Sequence, residues 1–146
     1  MTGGSRLTPR QLVAAECTRR GVPAVVDGCV SLLQGHHDVD DALVLALGGP
    51  AAEYVLSGGE GGKSGYWPRV WAARGLLHAW DDRAVPAIIQ ATADDAWRVR
   101  EMAAKVIARH HVGDALTAVA DLRDDEVPRV RAAAERAVAA ITASRS

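Results

Sequence analysis

Phenylalanine is absent, and four tryptophans and two tyrosines hold the aromatic content to 4 %. A core cannot then rest on large rings. It must be built from alanine, valine and leucine, small side chains that let helix axes approach closely. Cysteine is scarce as well. Cys17 and Cys29 form no Cys-x-x-Cys pair and have no histidine at ligand spacing, so neither a structural metal nor a disulfide scaffold is indicated. Both fall in amphipathic helical patterns, and two buried free thiols in a reducing compartment are expected. Lysine is confined to Lys63 and Lys105 against fifteen arginines, a bias expected of a GC-rich bacterial genome. Nor does one sign of charge dominate. The net charge of −1 gives the whole molecule no long-range pull toward nucleic acid or a membrane. No apolar run reaches membrane-span length, and no apolar stretch of a signal peptide follows Met1–Arg6. A soluble protein in the cytoplasm is expected.

What is present is a repeat. Shifting the chain by 31 residues lays 83–107 over 114–138 without a gap. Ala84, Val85, Ala87 and Ile88 fall on Ala115, Leu116, Ala118 and Val119. Asp94 falls on Asp125, and Arg98-Val99-Arg100 on Arg129-Val130-Arg131. The same shift sets Arg69, Ala72, Ala73, Arg74 and Leu76 over Arg100, Ala103, Ala104, Lys105 and Ile107. Each unit reads as a short helix, an acidic turn and a longer helix with one apolar stripe, such as Val99, Met102, Ala103, Val106 and Ile107.

The spacing predicts helices over 8–20, 23–34, 39–47, 50–57, 67–80, 83–92, 97–110, 114–122 and 127–142. They read as a cap followed by four consecutive pairs in one domain, 7–142. Thr8 is the expected N-cap of the first helix, with Pro9 in its first turn. Asp114 is the expected N-cap near 114, and Gly113 the expected stop of the helix before it. Val99, Ile107, Leu116, Val130 and Val138 should be buried between helices. Residues 1–6 and 143–146 should fray.

The stretch 124–138 carries an acidic turn, then Val-Arg, small residues and an aliphatic, and 96–107 matches it from the Val-Arg onward. In this they resemble the second helix of HEAT repeats, of the short type called PBS-lyase-like. The resemblance implies an all-α, right-handed α-α superhelix whose second helices line a concave side. It is nearly silent about activity, because this fold serves many functions.

Candidate sites follow from where equivalent positions stack. Arg69, Arg100 and Arg131 form one cationic row, and Arg74, Lys105 and Arg136 another. Such rows could hold phosphates or an acidic partner, while the resemblance implies that the first row pairs with Asp94 and Asp125 structurally. The second candidate is the segment 58–80, which does not repeat. It joins a glycine-rich loop to an aromatic-rich helix apolar on two faces. A pocket there would be lined by Tyr66, Trp67, Arg69, Val70, Arg74, Leu77 and Trp80, with 58–65 as a mobile rim; the competing expectation is that 39–47 and 50–57 cover the stripe.

Other chemistry is poorly supported. Gly61-Gly62-Lys63-Ser64 fails the phosphate-loop spacing, since Ser57 stands where the first glycine belongs. His36-His37-Asp38 has no second cluster at metal-ligand spacing. HEAT-like DNA glycosylases use tryptophan, aspartate and arginine, residue types present here as Trp67, Trp80, Asp81, Asp82 and Arg69. Their motif does not align with this chain, and no nucleophile–base pair stands out. The expected function is therefore a non-catalytic binding or scaffold module with a protein partner and no cofactor or metal. Nucleic-acid or nucleotide binding through the Arg/Lys rows is the alternative, and a HEAT-like enzyme a weaker one.

Overall fold

The computed structural model describes residues 7–36 and 38–145. Among them lie nine α-helices and no strand: α1 (Pro9–Arg20), α2 (Val22–Leu33), α3 (Asp41–Gly48), α4 (Pro50–Leu56), α5 (Trp67–Gly75), α6 (Val85–Ala91), α7 (Trp97–His110), α8 (Leu116–Asp121) and α9 (Pro128–Ser144). The expected Thr8 cap is present as a full capping box with Gln11. Four details differ from expectation. Helix α5 ends at Gly75, and turns carry the chain from Leu76 to Trp80. Asp114 lies inside a 3-10 turn rather than at an N-cap. His111, at φ 51°, takes the left-handed position that closes α7, leaving Gly113 no such role. Residues 143–144 continue α9; residues 1–6 lie outside the described residues.

The regular half assembles as the 31-residue shift implies. Helix α6 packs on α7, α8 on α9, and α7 lies along α9 over most of its length. Val99, Ile107 and Val130 are fully buried, while Leu116 and Val138 sit half-buried against the core.

The N-terminal half is paired differently from the expected order. Helix α5 packs chiefly on α2, α3 and α7, whereas α3 packs on α1 and α4. Helix α4 lies against α3 and the glycine turn rather than serving as partner to α5. The pairs are thus α1 with α3 and α2 with α5. The row of first helices runs α1, α2, α6, α8, and the row of second helices α3, α5, α7, α9. The physical reason lies in burial. Helix α2 has a broad apolar side (Val25, Val26, Cys29, Leu32, Leu33), while seven-residue α4 buries only Ala52 and Val55. Gly75 makes the crossing possible: a Cβ there would stand 2.6 Å from Leu47 Cδ2 and 3.1 Å from Cys29 Sγ. Cys17 and Cys29 are both free. Cys29 is buried, and burial pushes its thiol up to about 12.

Glu16 anchors the same end. Although buried, it is held by Arg19 and Arg20, and Arg20 reaches on to Asp40, the N-cap of α3. One guanidinium thus ties α1 to the helix it pairs with, and holds the Asp40 carboxyl well below its ordinary range.

Candidate functional site

The first cationic row is structural at two of its three positions. Arg69 grips Asp94 with two bonds, Nε–Oδ2 2.9 Å and Nη2–Oδ1 3.2 Å. Arg100 grips Asp125 in the same way at 2.8 and 3.2 Å, and donates from Nη1 to the carbonyls of Asp94 and Asp95. Each aspartate also accepts a backbone N–H at the start of its own second helix, Ala96 for Asp94 and Val127 for Asp125. Burial opposes ionisation of Asp125, but the bonds from Arg100 and the Val127 amide outweigh it. Its pKa lies below the ordinary carboxylate value. Arg131, exposed, donates to the Asp125 carbonyl at 2.7 Å. In the second row Arg74 is half-buried on the Leu47 carbonyl, Lys105 lies 3.7 Å from Glu101, and Arg136 is exposed.

The residues expected around one pocket are spread over separate sides of α5 and the turn after it. Val70 is buried in the core with Trp71. Trp67 faces a cavity of about 250 Å³ with Ala51, Tyr54, Val55, Glu60 and Trp71. Arg69 borders a different depression beside Gly35 and Asp94, and Leu77 a third beside Arg10 and Arg109. Trp80 stacks on His110 at 4.4 Å, 14° from parallel, and donates from Nε1 to Asp82. Burial lowers the His110 pKa, and its ring nitrogen lies 2.7 Å from the Leu76 carbonyl. The glycine segment forms a 3-10 turn over Gly59–Ser64. It is tied down by Lys63 to Asp41 (2.8 Å) and by Arg69 to the Gly65 carbonyl.

A third row, which charge counting alone does not bring out, runs through positions 67, 98 and 129. Arg98 lies over two indoles, 5.6 Å from the Trp67 ring centre and 4.4 Å from that of Trp97. Arg129 lies 5.2 Å from Trp97 and forks onto Glu101 at 2.9 and 3.1 Å. Tyr66 and Trp71 flank Trp67, with ring centres 5.1 and 6.3 Å away. The result is a ribbon of alternating rings and guanidiniums across the starts of α5, α7 and α9, held by cation–π attraction. At one end it opens on the Trp67 cavity, beside which Tyr54 is 62 % exposed. Among the described residues Arg98 makes no ion pair or hydrogen bond, so its donors remain available. The 31-residue shift puts Trp67, Arg98 and Arg129 in register, so the ribbon was latent in the sequence.

An all-helical chain with repeating helix pairs and arginine–aspartate bonds between successive repeats belongs to the class of α-helical repeat proteins. A family model of HEAT repeats matches residues 65–139, just over half of the chain, and the protein is a member of that family. No curated protein matches the chain.

Proposed function

We propose that the protein is a non-catalytic binding module that takes a partner protein on its second-helix face, along the ribbon from Tyr54 through Trp67, Arg98 and Trp97 to Arg129. The observation that carries this reading is Arg98: a guanidinium between two indoles, without an ion-pair partner among the described residues, beside a largely apolar cavity and an exposed tyrosine. Tryptophan, tyrosine and arginine around a partly desolvated pocket are the residue types that dominate interface energetics. HEAT repeats commonly serve as interaction scaffolds, which agrees. Nucleic-acid binding through the Arg/Lys rows has less support, because Arg69 and Arg100 already spend their donors on Asp94, Asp125 and backbone carbonyls.

Affinity purification from the native host supplies the partner, and the variant pair Tyr54→Ala with Arg98→Glu tests the face. Loss of a central aromatic or arginine anchor should weaken binding by at least about 2 kcal/mol, some thirtyfold. Added salt should weaken it only modestly, as for a protein interface. Full retention of the partner by the double variant sinks this reading. Steep loss with salt, as phosphate-backbone contacts require, returns the face to the nucleic-acid alternative.

A further inference from the structure

The start of α1, the turn after α5 and the end of α7 carry side chains that, among the described residues, no carboxylate pairs with. Arg10 of α1, Leu77 and His78 of the turn after α5, and Arg109 in the last turn of α7 line one cavity of about 300 Å³. Among the described residues Arg10 and Arg109 make no ion pair and no side-chain hydrogen bond. Arg74 stands behind them. Its Nη2 donates to the Leu47 carbonyl, and its buried Nε has no partner. Burial, and then the charges of Arg10, Arg74 and Arg109, lower the pKa of His78; no carboxylate opposes them.

Most of the other arginines among the described residues are paired, although Arg98, Arg131 and Arg136 have no carboxylate partner. Arg20, Arg69, Arg83, Arg100 and Arg129 each have a carboxylate within reach. Several guanidiniums and an imidazole held around one depression repel one another unless an anion joins them. Guanidinium forks match the oxygens of a phosphoryl group, and a dianion gains from every cation present. The cations converge on a single hollow rather than tracking along a line, which suits a compact ligand better than a nucleic-acid backbone. Leu77 adds one apolar wall.

We propose that the cavity between α1, the turn after α5 and the end of α7 binds a small phosphate, free or as a monoester, with its oxygens taken by Arg10, Arg109 and His78. Arg74 contributes charge from behind, and a body attached to the phosphate would rest on Leu77. The site shares no residue with the partner ribbon, so neither proposal depends on the other.

Phenyl phosphate is the first probe, followed by NMR on the full chain at low ionic strength and near-neutral pH. The His78 ring and the Arg10 and Arg109 side-chain signals should move together and saturate, and the His78 pKa should rise in the complex. Phenylacetate, with the same ring and one charge, should bind at least about tenfold more weakly. Arg10→Ala and Arg109→Ala remove exposed side chains without bonds, so melting should shift by no more than a surface substitution shifts it, while binding falls about tenfold or more for each. Inorganic phosphate matching phenyl phosphate identifies the free ion as ligand; weaker binding identifies an ester. The proposal is overturned by any of three results: no saturation in the millimolar range, equal binding of phenylacetate, or variants that bind as the wild type does. A duplex oligonucleotide that moves the same signals at far lower concentration also overturns it, assigning the cluster to a nucleic-acid backbone.

Discussion

Ile107 shows what a single side chain contributes here. It is fully buried in α7, and the 31-residue shift places it in register with Leu76 and Val138. With no phenylalanine available, branched aliphatics of this kind, with alanine, fill the space between helices. Ile107→Ala should therefore leave a cavity that alanine-rich neighbours cannot close, costing about 2–5 kcal/mol in chemical denaturation. A cost below about 0.5 kcal/mol, the scale of a surface substitution, would place Ile107 outside the core. The same economy of volume explains Gly48. A Cβ there would stand 2.6 Å from the Trp71 ring, so the one fully sequestered indole owes its seat to a missing methyl.

Between elements, the acidic turns do two things at once. Asp125 receives the guanidinium of the preceding repeat and the backbone N–H of Val127, the N-cap of its own second helix. Asp125→Ala should lose both and leave Arg100 with only the Asp94 and Asp95 carbonyls, for a cost of about 2–3 kcal/mol by the scale of hydrogen bonds to charged groups. Thermal melts of Asp125→Ala, Arg100→Ala and the double variant would check the coupling: strictly additive losses would mean that the pair does not interact. This ladder was legible because the HEAT resemblance implies it and the 31-residue shift sets Asp94 over Asp125 and Arg69 over Arg100. All nine helices were legible for a related reason, since amphipathic periodicity is local. The order in which α1, α2, α3 and α5 dock was not. Any neighbouring apolar helices could pair, and the choice rests on contacts distant in sequence, such as Gly75 against Leu47 and Cys29. The ribbon was half-legible. Grouping cations by charge selected the rows at 69 and 74, whereas the row at 67, 98 and 129 mixes an indole with two arginines and shows itself only when rings and charges are considered together.

For the molecule as a whole, acid should act in two stages. His78 and His110 have pKa values lowered from the ordinary 6.5, so the folded state binds fewer protons than the unfolded state as pH falls through that value. Stability from these groups is present above the unfolded pKa and declines below it. Asp40 and Asp125 are lowered from 3.8, so their share is intact above that value and lost as pH drops further. Denaturation free energy against pH should fall first through the sixes and again below about 4. Replacing both histidines with glutamine should flatten the first decline and leave the second. An unchanged first decline would assign it to other groups. The His78 contribution should shrink when phosphate is bound, since an anion raises that pKa.

The interleaved order of α1, α2, α3 and α5 makes the two halves of the chain unequal as building material. At the α9 end, one cut between α7 and α8 detaches a whole helix pair and leaves its neighbours connected as they were. At the α1 end no single cut does so, because each of the first two pairs is closed by a helix that comes after the other pair has begun. A repeat can be copied or deleted as one uninterrupted stretch of gene only on the side of the chain where the 31-residue pattern is kept. The loss of that pattern before residue 67 is what such a braided arrangement leaves in a sequence.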